Sequence, residues 1–390
     1  MKEADTLAEA GFDVIVIYSF WTRWAWETDL QLFKKINWKP ILAGGSPFED
    51  RFIYFLSRLR SKVYGYLARK TSFRFGMAEV ARGRTYPELS KKAKSIKADL
   101  YIAHIQAALP AAVKAAQKNH TKCGFDAEDF HRQEVDDDVY SFYFRISKYI
   151  EDEYLPRVDY VSASSPLIAE QYTLLYKRPV TCLLNVFPKT PAGSVVNNPD
   201  QAIKLFWFSQ TIGSGRGLET IIEAMGLIND AFELHLLGEL SDGYKEQLLT
   251  FAVNAGVTNN KLFFYEPVMA GQLFTIAAQF DIGLASETGF CLNNKLALSN
   301  KIFTYIQSGL AVVASNTPAQ SALLDKYPQV GKTYGDAAEL SAILKAYSEN
   351  RELLYQTKLA AFKCGQTDLN WENEAKKFLA VINEVLADKC

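Results

Sequence analysis

Apolar positions along the chain fall into two alternating patterns: short consecutive runs, and longer stretches in which they recur every three or four residues. The first is the pattern of strands buried on both faces, the second that of amphipathic helices. Strands are predicted at 14–18, 40–42, 99–103, 122–126, 159–162 and 181–184. Helices are predicted between them at 3–10, 48–68, 108–117 and 166–174, with a further one beginning near Val135. Residues 187–202 are rich in Pro, Gly and Asn and read as a linker. The pattern then restarts, with strands at 203–208, 232–237, 262–264, 282–285 and 311–314 and helices at 217–228, 244–255, 269–278, 301–308 and 373–387.

Strands separated by helices at this spacing form parallel sheets covered on both faces. Two such sets predict two doubly wound, Rossmann-like α/β domains, 1–188 and 189–370, with the helix in 371–390 packing back toward the first. The length of 390 residues agrees, since a single core seldom grows past about 250–300 residues. The expected active site lies where the carboxyl ends of both sheets' strands face each other across a cleft.

Charge and cysteine usage narrow the class. Against 44 acidic residues stand 43 basic ones, a formal net charge of -1, so no chain-wide excess points to a nucleic acid partner. The five cysteines, Cys123, Cys182, Cys291, Cys364 and Cys390, are scattered and include no C-x-x-C pair, which argues against a disulfide framework or a structural zinc site. A reducing cytoplasm is the expected compartment. MKEADTLAEAGFD lacks the basic and then apolar profile of a signal peptide, and no apolar run reaches the roughly 18 residues of a membrane span. Peripheral association with the inner membrane face stays compatible with this. FEDRFIYFLSRLRSKVYGYLARK interleaves aromatics with Arg and Lys, and two readings stand: aromatics in the core with bases in water, or a contact surface for an acidic or lipid-linked acceptor.

Candidate chemistry concentrates after residue 200. In FWFSQTIGSGRGLETIIEAM, Gly213, Ser214, Gly215, Arg216 and Gly217 connect a strand to a helix. Glycines there let backbone N–H groups approach an anion, the helix terminus adds favourable potential, and Arg216 supplies a permanent charge. A plain tight turn explains the glycines equally well. In SNKIFTYIQSGLAVVAS, Ser299 or Asn300 can cap a short helix, and Lys301 projects a cation beside its unpaired N–H groups. Upstream, ASETGF sets Glu287, Thr288, Gly289 and Phe290 just beyond a strand, where a carboxylate can accept sugar hydroxyls.

In this order the pieces resemble the catalytic domain of the large retaining glycosyltransferase family four, of the two-lobed GT-B fold, over nearly the whole chain. LHLLGE at 234–239 and NWENEAKKF at 370–378 belong to the same resemblance. It implies that Arg216 and Lys301 serve the donor diphosphate and Glu287 the donor sugar, with no bound metal and no covalent cofactor. The family often carries a second acid in the short helix, against the nucleotide ribose; here that position is Thr304, which can hydrogen-bond but carries no charge.

In the first half, YIAHIQAALPAA resembles a family strand and helix with His104 at the strand end, where a packed histidine and a substrate contact are both open readings. CGFDAEDFHRQE resembles a segment written with Asp, an intervening residue, His and an acid: Asp126 and Asp129 match, Glu128 stands in place of the histidine, and His131 lies three residues on. Asp136, Asp137 and Asp138 are expected at a helix start, stabilising its positive end rather than holding metal, and Glu151 and Glu153 on a solvated helix face. The family's usual opening strand and glycine-bearing loop are absent ahead of the first helix, so the first sheet is expected to lack its first strand.

The resemblance implies a hexosyltransferase-type enzyme that moves a sugar from a nucleotide diphosphate donor to a glycan or lipid-linked acceptor, a common step in polysaccharide assembly. Two other readings stand beside it: a non-catalytic GT-B protein that binds nucleotide or glycan, and a metal-free sugar-nucleotide epimerase.

Overall fold

The computed structural model describes residues 1–191, 195–197, 200–228 and 232–387, so part of the expected linker lies outside the described residues. The chain forms two compact units. One holds Met1–Leu184, Cys291–Asn293 and the residues from Glu374 onward; the other holds Asn185–Phe290 and Asn294–Asn373. Each carries parallel sheet with helices between its strands. None of the described helices is long and apolar enough to cross a membrane.

The first unit contains β1 (Ile15–Tyr18), β2 (Lys39–Leu42), β3 (Leu100–His104), β4 (Lys122–Ala127), β5 (Tyr160–Ala163) and β6 (Thr181–Cys182). They do not form one sheet: β1 pairs only with β2, while β3, β4, β5 and β6 form a second sheet in that order. Among the described residues the ladder is therefore broken between β1 and β3. Side chains tie the β1–β2 pair down instead. Arg84 donates to the Phe20 carbonyl just past β1 (3.0 Å), to the Gly44 carbonyl just past β2 (3.0 Å) and to Ser57 Oγ (2.6 Å). Ser19 and Thr85 hydroxyls meet at 2.6 Å, and Trp38 Nε1 donates to Asp5 Oδ1 at 2.7 Å. Phe20, Trp26 and Tyr54 supply the local apolar cluster.

A polar network runs through this unit's interior. Fully buried Glu151, expected on a solvated face, instead accepts from Arg132 Nε (2.6 Å), Tyr172 Oη (2.9 Å) and Gln106 Nε2 (3.1 Å). Sequence periodicity could not reveal this, because Arg132 lies on a separate turn. The helix expected from Val135 begins only at Phe142, where Ser141 Oγ accepts from the Phe144 N–H. Asp136 and Asp138 belong to the preceding turn and accept from the Asp138 and Tyr140 N–H groups, and Asp137 accepts from the Leu292 N–H. The Arg51–Lys70 helix corrects the expectation of inward aromatics: Tyr54 is buried, but Phe52, Phe55 and Tyr66 are exposed. Residues of the closing helix pack here too, Phe378 and Ile382 with Leu7, Tyr160 and Leu183.

The second unit carries β7 (Ile203–Ile212), β8 (Phe232–Leu240), β9 (Leu262–Tyr265), β10 (Ile282–Ala285), β11 (Ala311–Ser315) and β12 (Gly331–Tyr334), paired as β12-β11-β10-β7-β8-β9 without interruption. β12 was not foreseen; its sequence GKTY has no apolar run. The core is built from strand residues such as Leu205, Trp207, Leu234 and Leu284 packed against Leu218, Ile221, Ile222, Leu340 and Leu344. At Gly283 a Cβ atom would lie 2.1 Å from the ring of Tyr305, so only glycine lets the Asn300–Ser308 helix pack this closely on β10. Tyr305 Oη then donates to the Leu284 carbonyl at 2.9 Å, and these contacts fix where the helix's first turn sits.

Candidate functional site

β7 shifts register against β8 between Phe208 and Thr211 and ends at Ile212, delivering the chain to the Gly213–Gly217 loop. Gly213 is buried, while Ser214, Gly215 and Arg216 are exposed. Gly217 has φ 73°, and a Cβ there would press on Ser286 at 3.0 Å. That close approach serves a hydrogen-bond relay: Trp207 Nε1 donates to Ser286 Oγ (2.9 Å), which donates to the Arg216 carbonyl (2.7 Å). The loop backbone is thus held by the end of β10 while the Arg216 guanidinium has no partner among the described residues. The loop opens the Leu218–Gly226 helix, whose first-turn N–H groups add positive potential.

One residue beyond Ser286, Glu287 is the centre of a compact polar cluster. Its Oε1 accepts from Lys301 Nζ (2.8 Å) and Ser299 Oγ (2.9 Å), and its Oε2 accepts from Asn294 Nδ2 (3.2 Å). Burial alone would push this carboxyl up, but the Lys301 charge and the three hydrogen bonds outweigh it and hold the pKa below the usual carboxylate range. Lys301 Nζ also lies 5.6 Å from the Trp207 ring centroid, a cation–π contact. Ser299 is the N-cap residue by position, as expected, yet its hydroxyl serves Glu287 and not the helix. Asn294 Oδ1 accepts from the Gly289 N–H at 2.6 Å, which fixes the turn carrying exposed Phe290.

One expectation in this unit meets a different outcome. Thr304 is fully buried, with its hydroxyl donating back to the Asn300 carbonyl at 3.1 Å, so it presents no group to a ribose in this structure. Asn300 itself is exposed. Sequence reasoning placed Arg216, Glu287 and Lys301 as separate cues and missed Ser299, Asn294 and Trp207 as partners. Only the turn after β10 brings them together, and no spacing rule announces it.

In the first unit, β3 and β4 end side by side, with His104 paired in register to Asp126. His104 Nδ1 lies 3.4 Å from Asp126 Oδ2 and 3.5 Å from Glu128 Oε1, while Nε2 lies 3.4 Å from Glu3 Oε2. Ser162 Oγ donates to the other Asp126 oxygen at 2.8 Å. Burial lowers the imidazole pKa, but hydrogen bonds to Asp126 and Glu128 and the charge of Glu3 raise it further, to about 10. Glu3 itself is pushed up by burial to about 7, although His104 works against this. Glu3, His104 and Asp126 have the donor types and closeness of a metal site. The three surrounding carboxyls favour the protonated imidazole, the form in which neither ring nitrogen is free to ligate a metal.

His131 does not join His104. It is buried, its Nδ1 lies 3.1 Å from Glu134 Oε2, and its backbone N–H donates to Tyr172 Oη at 3.2 Å. Its Nε2 is buried without a hydrogen-bond partner among the described residues. Neighbouring Asp129 accepts from Asn293 Nδ2 at 2.9 Å. Glu128 therefore belongs with His104, and His131 with Asp129 and Glu134.

No family model matches the chain, and no curated protein matches it in sequence. Solved structures do match. HepE from Anabaena in complex with UDP is similar at a TM-score of 0.68 with 14% identity, covering 98% of this chain and 94% of that one. Sucrose-phosphate synthase from Thermosynechococcus elongatus gives 0.68 at 12% identity, covering 100% and 92%. A glycosyltransferase from Rickettsia africae gives 0.64 at 15% identity, covering 100% and 94%. The fold is the GT-B fold of such glycosyltransferases. At these identities the likeness carries architecture alone. HepE has also been solved with UDP and glucose and with UDP-glucose.

Proposed function

We propose that the protein is a glycosyltransferase that moves a hexosyl unit from a nucleotide diphosphate sugar to a hydroxyl acceptor, a glycan or a lipid-linked saccharide, with retention at the anomeric carbon. The observation that carries this reading is the pairing of an unengaged arginine on a glycine loop with the Glu287–Lys301–Ser299 cluster one residue from that loop's anchor. The fold likeness supports the same reading.

In the reaction, the bond between anomeric carbon and diphosphate oxygen breaks, a bond to the acceptor oxygen forms on the same face, and the acceptor proton leaves with the departing phosphate. Negative charge grows on the diphosphate as the bond breaks. Arg216, Lys301 and the first-turn N–H groups of the Leu218–Gly226 helix would meet that charge without reorganising, which lowers the barrier. Glu287, held ionised, would accept the sugar hydroxyls and set the sugar's orientation. The His104, Asp126 and Glu128 cluster is assigned to the acceptor. The ribose of the donor would be held by groups other than Thr304.

The test is nucleotide release from a panel of nucleotide sugars, with and without glycan acceptors. Acceptor-dependent release supports transfer; interconversion of the donor without release would mark an epimerase. Saturable donor binding without turnover would mark a binding protein, a reading favoured by the buried Thr304. Lys301→Ala is expected to lower turnover by about a hundredfold or more, the loss seen when one preorganised donor is removed. Unchanged turnover and donor affinity in Arg216→Ala and Lys301→Ala would remove the site assignment.

A further inference from the structure

The Arg51–Lys70 helix is amphipathic in the wrong direction for a helix packed on a core. Its buried positions are Tyr54, Ser57 and Ala68, two of them small. At 100° per residue, Phe52, Phe55, Leu59, Val63 and Tyr66 share one face of the helix, and that face points to solvent. Phe52 is 78% exposed, Tyr66 64%, Phe55 63% and Leu59 62%. Phe48 just before the helix and Phe75 just after it are exposed as well.

Along the helix itself the charges are all of one sign. From Arg51 to Ala78 the sequence holds seven basic residues and no acid. Arg51, Arg58, Lys62 and Arg69 flank the stripe on one side by the same helical spacing and are exposed. Arg51, Lys62 and Lys70 have no ion-pair partner among the described residues. Glu49 and Asp50 precede the helix, where they favour its positive end.

We infer that this face docks on an anionic lipid bilayer, with the helix lying in the headgroup plane and the aromatics reaching the acyl boundary. A twenty-residue helix is about 30 Å long, enough for its stripe to set several anchors in one plane. Charge selects the occupant. A second copy would bring the same row of bases against itself, whereas an anionic membrane satisfies both the apolar stripe and its uniformly basic flank. The inference does not depend on the donor chemistry proposed above.

The test is co-sedimentation of the full chain with phosphatidylcholine vesicles, with and without a phosphatidylglycerol fraction. Strong sedimentation only with the anionic vesicles, weakened by salt, is the expected result. Phe52→Ser/Phe55→Ser/Leu59→Ser should cut partitioning by more than about a hundredfold, given the apolar area withdrawn. Arg51→Gln and Lys62→Gln should each cost about fivefold. All three positions of the triple variant are exposed, so an unchanged thermal melt is expected and shows that the fold survives. Failure of the native chain to bind anionic vesicles, equal binding to neutral ones, or full binding by the triple variant would overturn the inference. Self-association through this face without vesicle binding, seen by analytical ultracentrifugation, would overturn it too.

Discussion

The two units solve the same architectural problem by different means. In the second, six strands form an unbroken ladder over one large apolar cluster, so most of its stability follows from area removed from water, although a buried Lys358–Asp281 pair (2.7 Å) sits at its edge. In the first, the ladder stops between β1 and β3, and ionised groups such as Glu151 and Arg132 occupy the interior. Ion pairs of this kind are weak contributors when intact and costly when half-removed. The difference teaches where each unit is most vulnerable: the second at its large apolar cluster, the first at its broken ladder and its buried ion pair.

The largest effects should come from striking each unit at its own weakness. Trp207→Ala empties a fully buried position of the second unit and should cost about 3–5 kcal/mol in a denaturant melt. Glu151→Ala should cost about as much in the first unit, because Arg132 is left charged and buried beside a vacancy. If Glu151→Ala proves mild, the polar interior is not what holds that unit. A smaller loss, about 1.5–3 kcal/mol, is expected for Ser299→Ala, which removes a hydrogen bond to an ionised carboxylate; isotope-edited infrared spectroscopy should also show the Glu287 carboxyl titrating at higher pH.

Above about pH 5 the response to pH should come from the first unit, whose Asp126 and Glu134, like Glu287 of the second, are held low and matter only under acid. His104 is raised from the ordinary histidine value of 6.5 to about 10, so the stability it adds to the first unit is full below 6.5 and fades as pH climbs toward 10. Glu3, raised from 4.5 to about 7, works in the same direction over its own window. In the second unit Glu287 is held below 4.5, so its contribution is present above that value and is lost under acid. Melts followed from pH 5 to about 9 should show the first unit weakening, and His104→Gln should flatten that slope. A slope unchanged in the variant would place the pH sensitivity elsewhere. The smallest signal is expected in amide exchange, where β1 should exchange faster than the central β7 and β10, since it has one ladder partner and they have two.

The sequence pattern made the fold legible wherever strands were apolar throughout. β10 falls on its predicted bounds, whereas β12, half polar and at a sheet edge, left no run to read. Helix periodicity shows that a stripe exists and not which way it faces, which is why the Arg51–Lys70 helix was open to two readings. The start of the Phe142–Tyr154 helix was misplaced because Ser141, not the three aspartates, supplies the cap. At the candidate site, Arg216, Glu287 and Lys301 were each visible from local context. That Lys301 and Glu287 hold each other was not, because fourteen residues separate them and only the close packing of Tyr305 on Gly283 sets their register.

Arg84 has a consequence for how this chain can vary over time. One planar guanidinium reaches the backbone past both β1 and β2 and a serine of the next helix, and no other side chain has that fork of donors. A lysine there could satisfy one carbonyl and would strand the other. Mutational drift at this codon should therefore be narrow even though it lies outside any proposed chemistry, and its loss would leave some forty residues hinged to a sheet with which they share no strand pairing.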